Sequence, residues 1–212
     1  MFYDVGKRII DIIGAIIGIV VFSPIMLLTA LWIKLVSPEG PVLVEPHGTL
    51  RAGKNDTVFR MFKFRSMIPN AHKWLDENPE WKKKYRENNY KLDPDPRMIK
   101  GAKFIRKSSI DEMPQFFNVL MGDMSIVGPR AYFPNELKEQ GEKHPNTIDH
   151  IKNVKTAKPG VTGPWQVGGR SDIGFEKRIK MDADYASKRS IVYDISIIIK
   201  TPVAVLMQRG AF

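Results

Sequence analysis

Between Ile12 and Ile33 the chain runs 22 residues without a charge, "IIGAIIGIVVFSPIMLLTALWI". That length suffices for a continuous helix to cross the hydrocarbon core of a bilayer. It exceeds the apolar core of a signal peptide, and no small-residue cleavage site follows it. Ser23–Pro24 interrupts the run near its middle. A central proline removes one helical hydrogen bond and crowds the preceding turn, so the pattern predicts a kink or break there. Two arrangements fit. In one, a kinked helix spans the membrane. In the other, helix, break and helix enter and leave by the same face, with Lys7, Arg8 and Lys34 all on the cytoplasmic side. Periodicity and charge alone favour the spanning arrangement.

Beyond a "SPEGP" turn, the glycines and "GKND" in "VLVEPHGTLRAGKNDTVFRMFKFRSM" predict a hairpin of two short strands. Its second half alternates Arg60, Lys63 and Arg65 with Phe59, Phe62 and Phe64. An edge strand with outward charges explains that pattern, and so does a basic ledge for phosphates. The stretch around Trp74 and Trp81 is polar, charged and rich in helix formers, and predicts a solvated helix or helical hairpin. "TAKPGVTGPWQVGGR", Thr156 to Arg170, predicts an irregular loop. Near the end, Ile195, Ile198 and Ile199 form the stripe of a helix lying on the core or on a membrane surface.

Charge and composition narrow the partners. The chain carries 33 Lys and Arg against 23 Asp and Glu, a formal net charge of +10. Such a surplus attracts nucleic acid, anionic headgroups or phosphorylated small molecules. The acidic residues Asp76, Glu77, Glu80 and Glu87, interleaved in the most basic segment, argue against a nucleic-acid stripe. The absence of cysteine excludes disulfides and thiolate metal sites. The four histidines show no ligand spacing.

The candidate chemistry lies in "RKSSIDEMPQFFNVLMGDMSIVGPR". Asp111 and Glu112 are adjacent. The plainer reading is a capping box, with Ser109 at the N-cap and Glu112 three residues later. A helix start also favours anions and holds a carboxylate ionised, as a nucleophile or a metal ligand requires. Neighbouring helical residues point about 100° apart, so one carboxylate can attack while the other holds a metal. Two carboxylates that share proton work across a glycosidic bond must instead face each other. Arg65, Arg106, Arg130 and Arg170 all lie beside glycines, prolines or this pair, which suggests convergence on a diphosphate.

These blocks resemble the bacterial sugar transferases, the monotopic polyprenyl-phosphate phosphoglycosyl transferases. The likeness runs almost end to end: "SP" in the apolar run, "FRMFKFRSM", the long acidic-pair block, "KPGVTGPWQVGGR" and the closing "RGAF". The last two blocks resemble the hexose-1-phosphate branch, galactose-1-phosphate transferases in particular. One departure is Ala131, where the family commonly has proline; it bears on the shape of the nucleotide pocket. Members of this branch often carry a multi-helix membrane domain ahead of the catalytic part, which is not in this sequence.

The resemblance implies a mixed α/β, helix-rich fold with a re-entrant helix-break-helix anchor (residues 1–36) and a small cytoplasmic catalytic domain (37–212). It implies that Asp111 is the nucleophile, Glu112 the Mg²⁺ ligand, and Ser23–Pro24 the point of re-entry. Lys63, Arg65, Arg106, Pro129 and Arg130 fall in motifs around the donor, with Gln166, Arg170 and Asp182 in the later motifs. It implies transfer of a hexose-1-phosphate, from UDP-galactose or UDP-glucose, to undecaprenyl phosphate with release of UMP. The setting is the cytoplasmic face of a bacterial inner membrane, with membrane lipid as a partner, no nucleic acid, and a homodimer as an option. A non-catalytic, membrane-tethered basic module is the competing class, and it makes Asp111–Glu112 an incidental cap.

Overall fold

The computed structural model describes residues 2–88, 92–169 and 173–207. It is a helix-rich mixed α/β chain: α1 (Phe2–Val36), β1 (Leu50–Ala52), β2 (Val58–Arg60), α2 (Ala71–Glu77), α3 (Pro79–Glu87), α4 (Ala102–Lys107), α5 (Gln115–Met121), β3 (Ser125–Val127), α6 (Pro134–Lys143), α7 (Ile148–Val154), β4 (Gly160–Thr162), α8 (Pro164–Val167), α9 (Phe175–Lys188) and α10 (Ile191–Leu206). The expected hairpin is the antiparallel pair β1–β2, with Arg51 opposite Phe59. The expected polar helical hairpin is α2–α3, held by Trp74 and Trp81 with ring centroids 6.4 Å apart.

The apolar run does not break into two helices. Helical structure continues from Phe2 to Val36 with Pro24 inside it. A local hydrogen bond explains why. Proline at 24 has no N–H for the Val20 carbonyl four residues back, and the Ser23 hydroxyl donates to that same carbonyl at 2.9 Å. The carbonyl that proline would orphan is satisfied within the helix, as an apolar setting requires.

α1 docks on the body along its length. Near its start, the buried Asp11 accepts from the Ser125 hydroxyl, the Ile126 N–H and the Lys7 ammonium. The Arg8 guanidinium donates to the Val119 and Leu120 carbonyls at 2.6 and 2.8 Å, capping the exposed C-terminal end of α5. Charge-assisted contacts of this kind contribute about 1.5–3 kcal/mol each. In the middle, Ala15 packs with Phe59, Met61, Val119 and Met124. Towards its end Met26 and Ile33 pack with Phe64, Ile99 and Ala102. Trp32 Nε1 donates to the Lys100 carbonyl and the Lys34 ammonium to the Gly40 carbonyl.

The opposite side of α1 is open. Val5, Ile9, Ile13, Val20, Leu27 and Leu31 are each more than half exposed, and so are Val192, Ile199, Val203 and Leu206 of α10. Contiguous apolar surface on this scale marks a partner or a membrane. On α10 the predicted stripe divides: Ile195 and Ile199 face outward, Ile198 is half-buried, and Ile197 enters the core with Val127 and Tyr185.

The stretch expected to be an irregular loop is partly ordered. Gly160–Thr162 forms β4, parallel to β3, and Pro164–Val167 forms α8. The glycines explain the difference. A Cβ on Gly128 would lie 2.3 Å from the Lys158 carbonyl oxygen, and one on Gly160 2.1 Å from the Gly128 nitrogen. The "VGPR" and "KPGVTG" backbones therefore meet at a distance only glycine allows. Gly160, read as a loop signal, is thus a strand residue packed against the backbone of Gly128.

Candidate active site

Asp111 lies on a single 3-10 turn, Ile110–Glu112, between α4 and α5. This corrects the capping-box reading. Ser109 is in the left-handed region (φ 57°) and its side chain makes no cap hydrogen bond, so the pair does not open a long helix. The turn is positioned by the chain before it instead. Phe64 N–H donates to the Asp111 carbonyl at 2.9 Å. The fully buried Asn118 accepts from Phe62 N–H and donates to the Arg60 carbonyl, both at 2.8 Å. Between these clamps lies Lys63, which reaches Asp111 Oδ2 at 2.8 Å and Glu112 Oε1 at 3.5 Å.

The two carboxylates differ in environment. The Asp111 side chain is 3% exposed and that of Glu112 33%. Burial pushes the Asp111 carboxyl above its usual range and the Glu112 charge adds to this, while Lys63 and Arg106 pull the other way. The expected lowering by a helix dipole is thus replaced by desolvation. For Lys63, burial acts to lower its pKa, and Asp111 followed by Glu112 more than offset that, so the ammonium is held charged. The result is an aspartate with raised proton affinity, hence raised nucleophilicity when ionised, beside a fixed cation.

Further cations surround the pair. Arg106, in the last turn of α4, acts electrostatically on both Lys63 and Asp111. Arg51, buried on β1 over the Phe133 ring, is pushed down to about 10 by burial and then by Arg130, with Glu136 and Glu112 opposing. Arg51 and Asn118 escaped the sequence reading. The available signal was Arg51 standing between Leu50 and Ala52 in a two-residue alternation, where Leu50 is the exposed member.

Arg130 is set by its backbone. Its N–H donates to Asp182 Oδ2 at 3.0 Å, as does the Tyr132 hydroxyl at 2.9 Å, and its guanidinium lies over the Trp165 ring at 4.9 Å. Pro129, also buried, fixes this turn through its carbonyl, which accepts from Gly160 N–H. Five buried polar atoms make no hydrogen bond among the described residues: Arg130 Nε, Trp165 Nε1, Gln166 Oε1, Arg178 Nε and Asp182 Oδ1. All lie in the "GPR" and "GPWQ" blocks or on α9, and each retains capacity for a ligand or water.

Arg65 does not join them. Its guanidinium makes four hydrogen bonds, to the Ser37 hydroxyl and carbonyl and to the Pro41 and Met67 carbonyls. It clasps the segment that leaves α1, so its role is structural. Ser23 and Pro24 belong to α1, as described above. Arg170 and the closing "RGAF" lie outside the described residues.

A groove of about 640 Å³ runs between α1 and α10. Ile17, Phe22, Phe116 and Ile198 line its apolar part, and Glu112 and Gln166 stand on its wall. Through Glu112, the acidic pair reaches an apolar groove bounded by the two helices with open apolar faces.

The sequence profile named bacterial sugar transferase matches residues 2–208. This chain belongs to the bacterial sugar transferase family. It is 39% identical to the undecaprenyl-phosphate galactose phosphotransferase of Salmonella typhimurium, over 97% of this chain and 41% of that protein. It is 37% identical to the UDP-glucose:undecaprenyl-phosphate glucose-1-phosphate transferase of Xanthomonas campestris, over 100% of this chain and 41% of that protein. The exopolysaccharide production protein ExoY of Rhizobium meliloti is 33% identical, over 98% of this chain and 88% of its own length. The chain thus spans less than half of the first two sugar transferases and most of the third.

Asp182 supplies a test of the site's construction. Burial raises its carboxyl to about 7, against the pull of the Arg130 N–H, the Tyr132 hydroxyl and nearby arginines. Its folded pKa exceeds the ordinary value, so the stability it contributes is present in acid. That contribution declines as pH rises from about 4 through about 7. Asp182→Asn keeps a carbonyl acceptor for both donors and removes the titration. The variant's melting temperature relative to the parent is expected to rise between pH 5 and pH 8. A pH-independent difference would show that Asp182 does not titrate in this range.

Proposed function

We propose that this sugar transferase moves a hexose-1-phosphate from a UDP-sugar to undecaprenyl phosphate, releasing UMP and starting assembly of a surface polysaccharide. The observation that carries this reading is a buried aspartate, paired with Lys63, whose neighbour Glu112 lines an apolar groove. Few reactions need a desolvated carboxylate, a ring of cations and a lipid-sized channel together. Transfer of an anionic group to a lipid phosphate needs all three.

In this reading an Asp111 oxygen attacks the sugar-linked phosphorus. The bond from that phosphorus to the bridging oxygen breaks, and UMP leaves with the electron pair. The acyl phosphate is then attacked by an oxygen of the lipid phosphate, which restores the carboxylate. Lys63, Arg51, Arg106 and Arg130 offset phosphate charge in a site where little water screens it. The unpaired polar atoms of Trp165, Gln166 and Arg178 are available to the donor's remaining groups. Mg²⁺ fits the donor set, since the ion is usually held by one or two carboxylates plus substrate phosphates. Glu112, the more exposed of the pair, would hold it, and the ion would supply charge neutralisation. Galactose and glucose donors are named for the relatives, and those are the hexoses we favour here.

The same reading makes the chain monotopic, with both ends of α1 at the cytoplasmic face of the inner membrane. Its support is that Arg8 near one end and Trp32 and Lys34 near the other hold the same body. A helix that spanned the bilayer would carry one end away from that body. The anchor would then be residues 1–36 and the catalytic part 37–212. Single cysteines near Phe2 and Lys34 should both react with a reagent confined to the cytoplasmic side. Labelling from opposite sides would overturn the arrangement.

The reaction is tested by UMP release from UDP-galactose and UDP-glucose with undecaprenyl phosphate. We expect magnesium-dependent release, reduced at least about a hundredfold in Glu112→Gln, the scale on which a lost electrostatic contact to a transition state acts. Salt-sensitive oligonucleotide binding without turnover would favour the basic module instead.

A further inference from the structure

Strand β3 separates two cavities. Ile126 lines the groove described above, whereas Ser125 and Val127 line a second cavity of about 270 Å³. Alternation along a strand sends these side chains to opposite faces, so the second cavity lies behind the catalytic groove and apart from it. Its walls are the first turns of α1, the segments carrying Lys54 and Lys158, and Arg189 just ahead of α10.

The charges in it are unbalanced. Lys7 is neutralised by Asp11 and Asp194, and Asp11 is further occupied by Ser125 and Ile126. Arg8 and Arg189 donate to carbonyl oxygens, those of Val119, Leu120 and Thr156. The ammonium groups of Lys54 and Lys158 make no hydrogen bond or ion pair among the described residues. Asp4 is the one further carboxylate among the residues lining the cavity. Above Gly122, Lys158 Nζ and Arg8 Nη2 stand 3.5 and 3.8 Å from the same point. Burial and then Arg8 lower the Lys158 ammonium's pKa, with Lys54 adding to this and Asp11 and Asp123 opposing it.

The position matters as much as the charge. Val5 and Ile9, on the other side of the same turns of α1, are 57% and 52% exposed, and Val192 at the start of α10 is 79% exposed. The cavity therefore sits where the open apolar faces of both helices give way to polar surface. We propose that it binds the phosphate of an anionic glycerophospholipid at the membrane surface. A guanidinium held by carbonyls and two ammonium groups without a side-chain partner among the described residues suit a phosphodiester oxygen set, and a basic pocket at the end of membrane-facing helices suits a headgroup. The site fixes the depth and orientation of the body on the bilayer, independently of the transfer reaction.

The test compares the purified protein in nanodiscs of phosphatidylcholine alone and of phosphatidylcholine with phosphatidylglycerol. Acylation of individual lysines is read by mass spectrometry. Phosphatidylglycerol should slow acylation of Lys54 and Lys158 several-fold and leave the exposed Lys188 unchanged. Lys158→Gln should abolish protection of Lys54, and Lys54→Gln should weaken protection of Lys158. Neither lysine makes a side-chain bond among the described residues, whereas Arg8 caps α5 and is left intact. Equal acylation in both nanodiscs would overturn the proposal. So would equal protection of Lys188, which would indicate diffuse surface charge. Protection by inorganic phosphate in phosphatidylcholine alone would overturn the lipid assignment in favour of a soluble phosphate compound.

Discussion

The contact between Lys63 and Asp111 organises this structure. Two opposite charges 2.8 Å apart, with the carboxylate almost fully buried, are tolerated only when paired and held in good geometry. Much of the surrounding fold supplies that geometry. Asn118 ties the backbone on either side of residue 61 to α5, and the Phe64 N–H ties the next residue to the Asp111 carbonyl. Arg65 then draws the following chain onto the segment leaving α1. Replacing the pair by apolar groups would ease desolvation and remove the proposed nucleophile with its cation.

The second feature is that the charged pair and an apolar groove meet at Glu112. α1 does both jobs because its two faces differ. One face carries Asp11, Ala15, Met26 and Ile33 into the body, and the other leaves an open apolar surface that continues onto α10. The groove between these helices reaches Glu112. Ser23, by satisfying the carbonyl that Pro24 cannot, lets the helix stay whole where its residues are exposed.

Local patterns were legible where a local rule governs them. The apolar run, the "GKND" hairpin, the Trp74–Trp81 helical pair and the outward Ile195 and Ile199 all follow from periodicity and turn residues. Of the candidate site residues, Lys63 meets the acidic pair directly, Arg106 acts on it through its charge, and Gln166 shares a groove with Glu112. The misreadings share a cause, which is that tertiary contacts reassigned residues whose local meaning was clear. Ser109 suits an N-cap, yet takes a left-handed turn because the chain must hand Asp111 to Lys63. Arg65 matches Lys63 in pattern, but the carbonyls of Ser37 and Pro41 claim it. Gly160 looks like a loop glycine, and its close approach to the Gly128 backbone places it in a strand. Arg51 and Asn118 act through partners distant in sequence, which no local pattern records.

Intact-mass spectrometry reads whether Asp111 forms a covalent bond to phosphorus. The protein is incubated with UDP-galactose or UDP-glucose and Mg²⁺, without lipid acceptor, and quenched in acid. We expect an added mass of one hexose phosphate on the parent, absent in Asp111→Asn and discharged when undecaprenyl phosphate is supplied. An unmodified parent that still turns over, or an adduct that persists in Asp111→Asn, would contradict it.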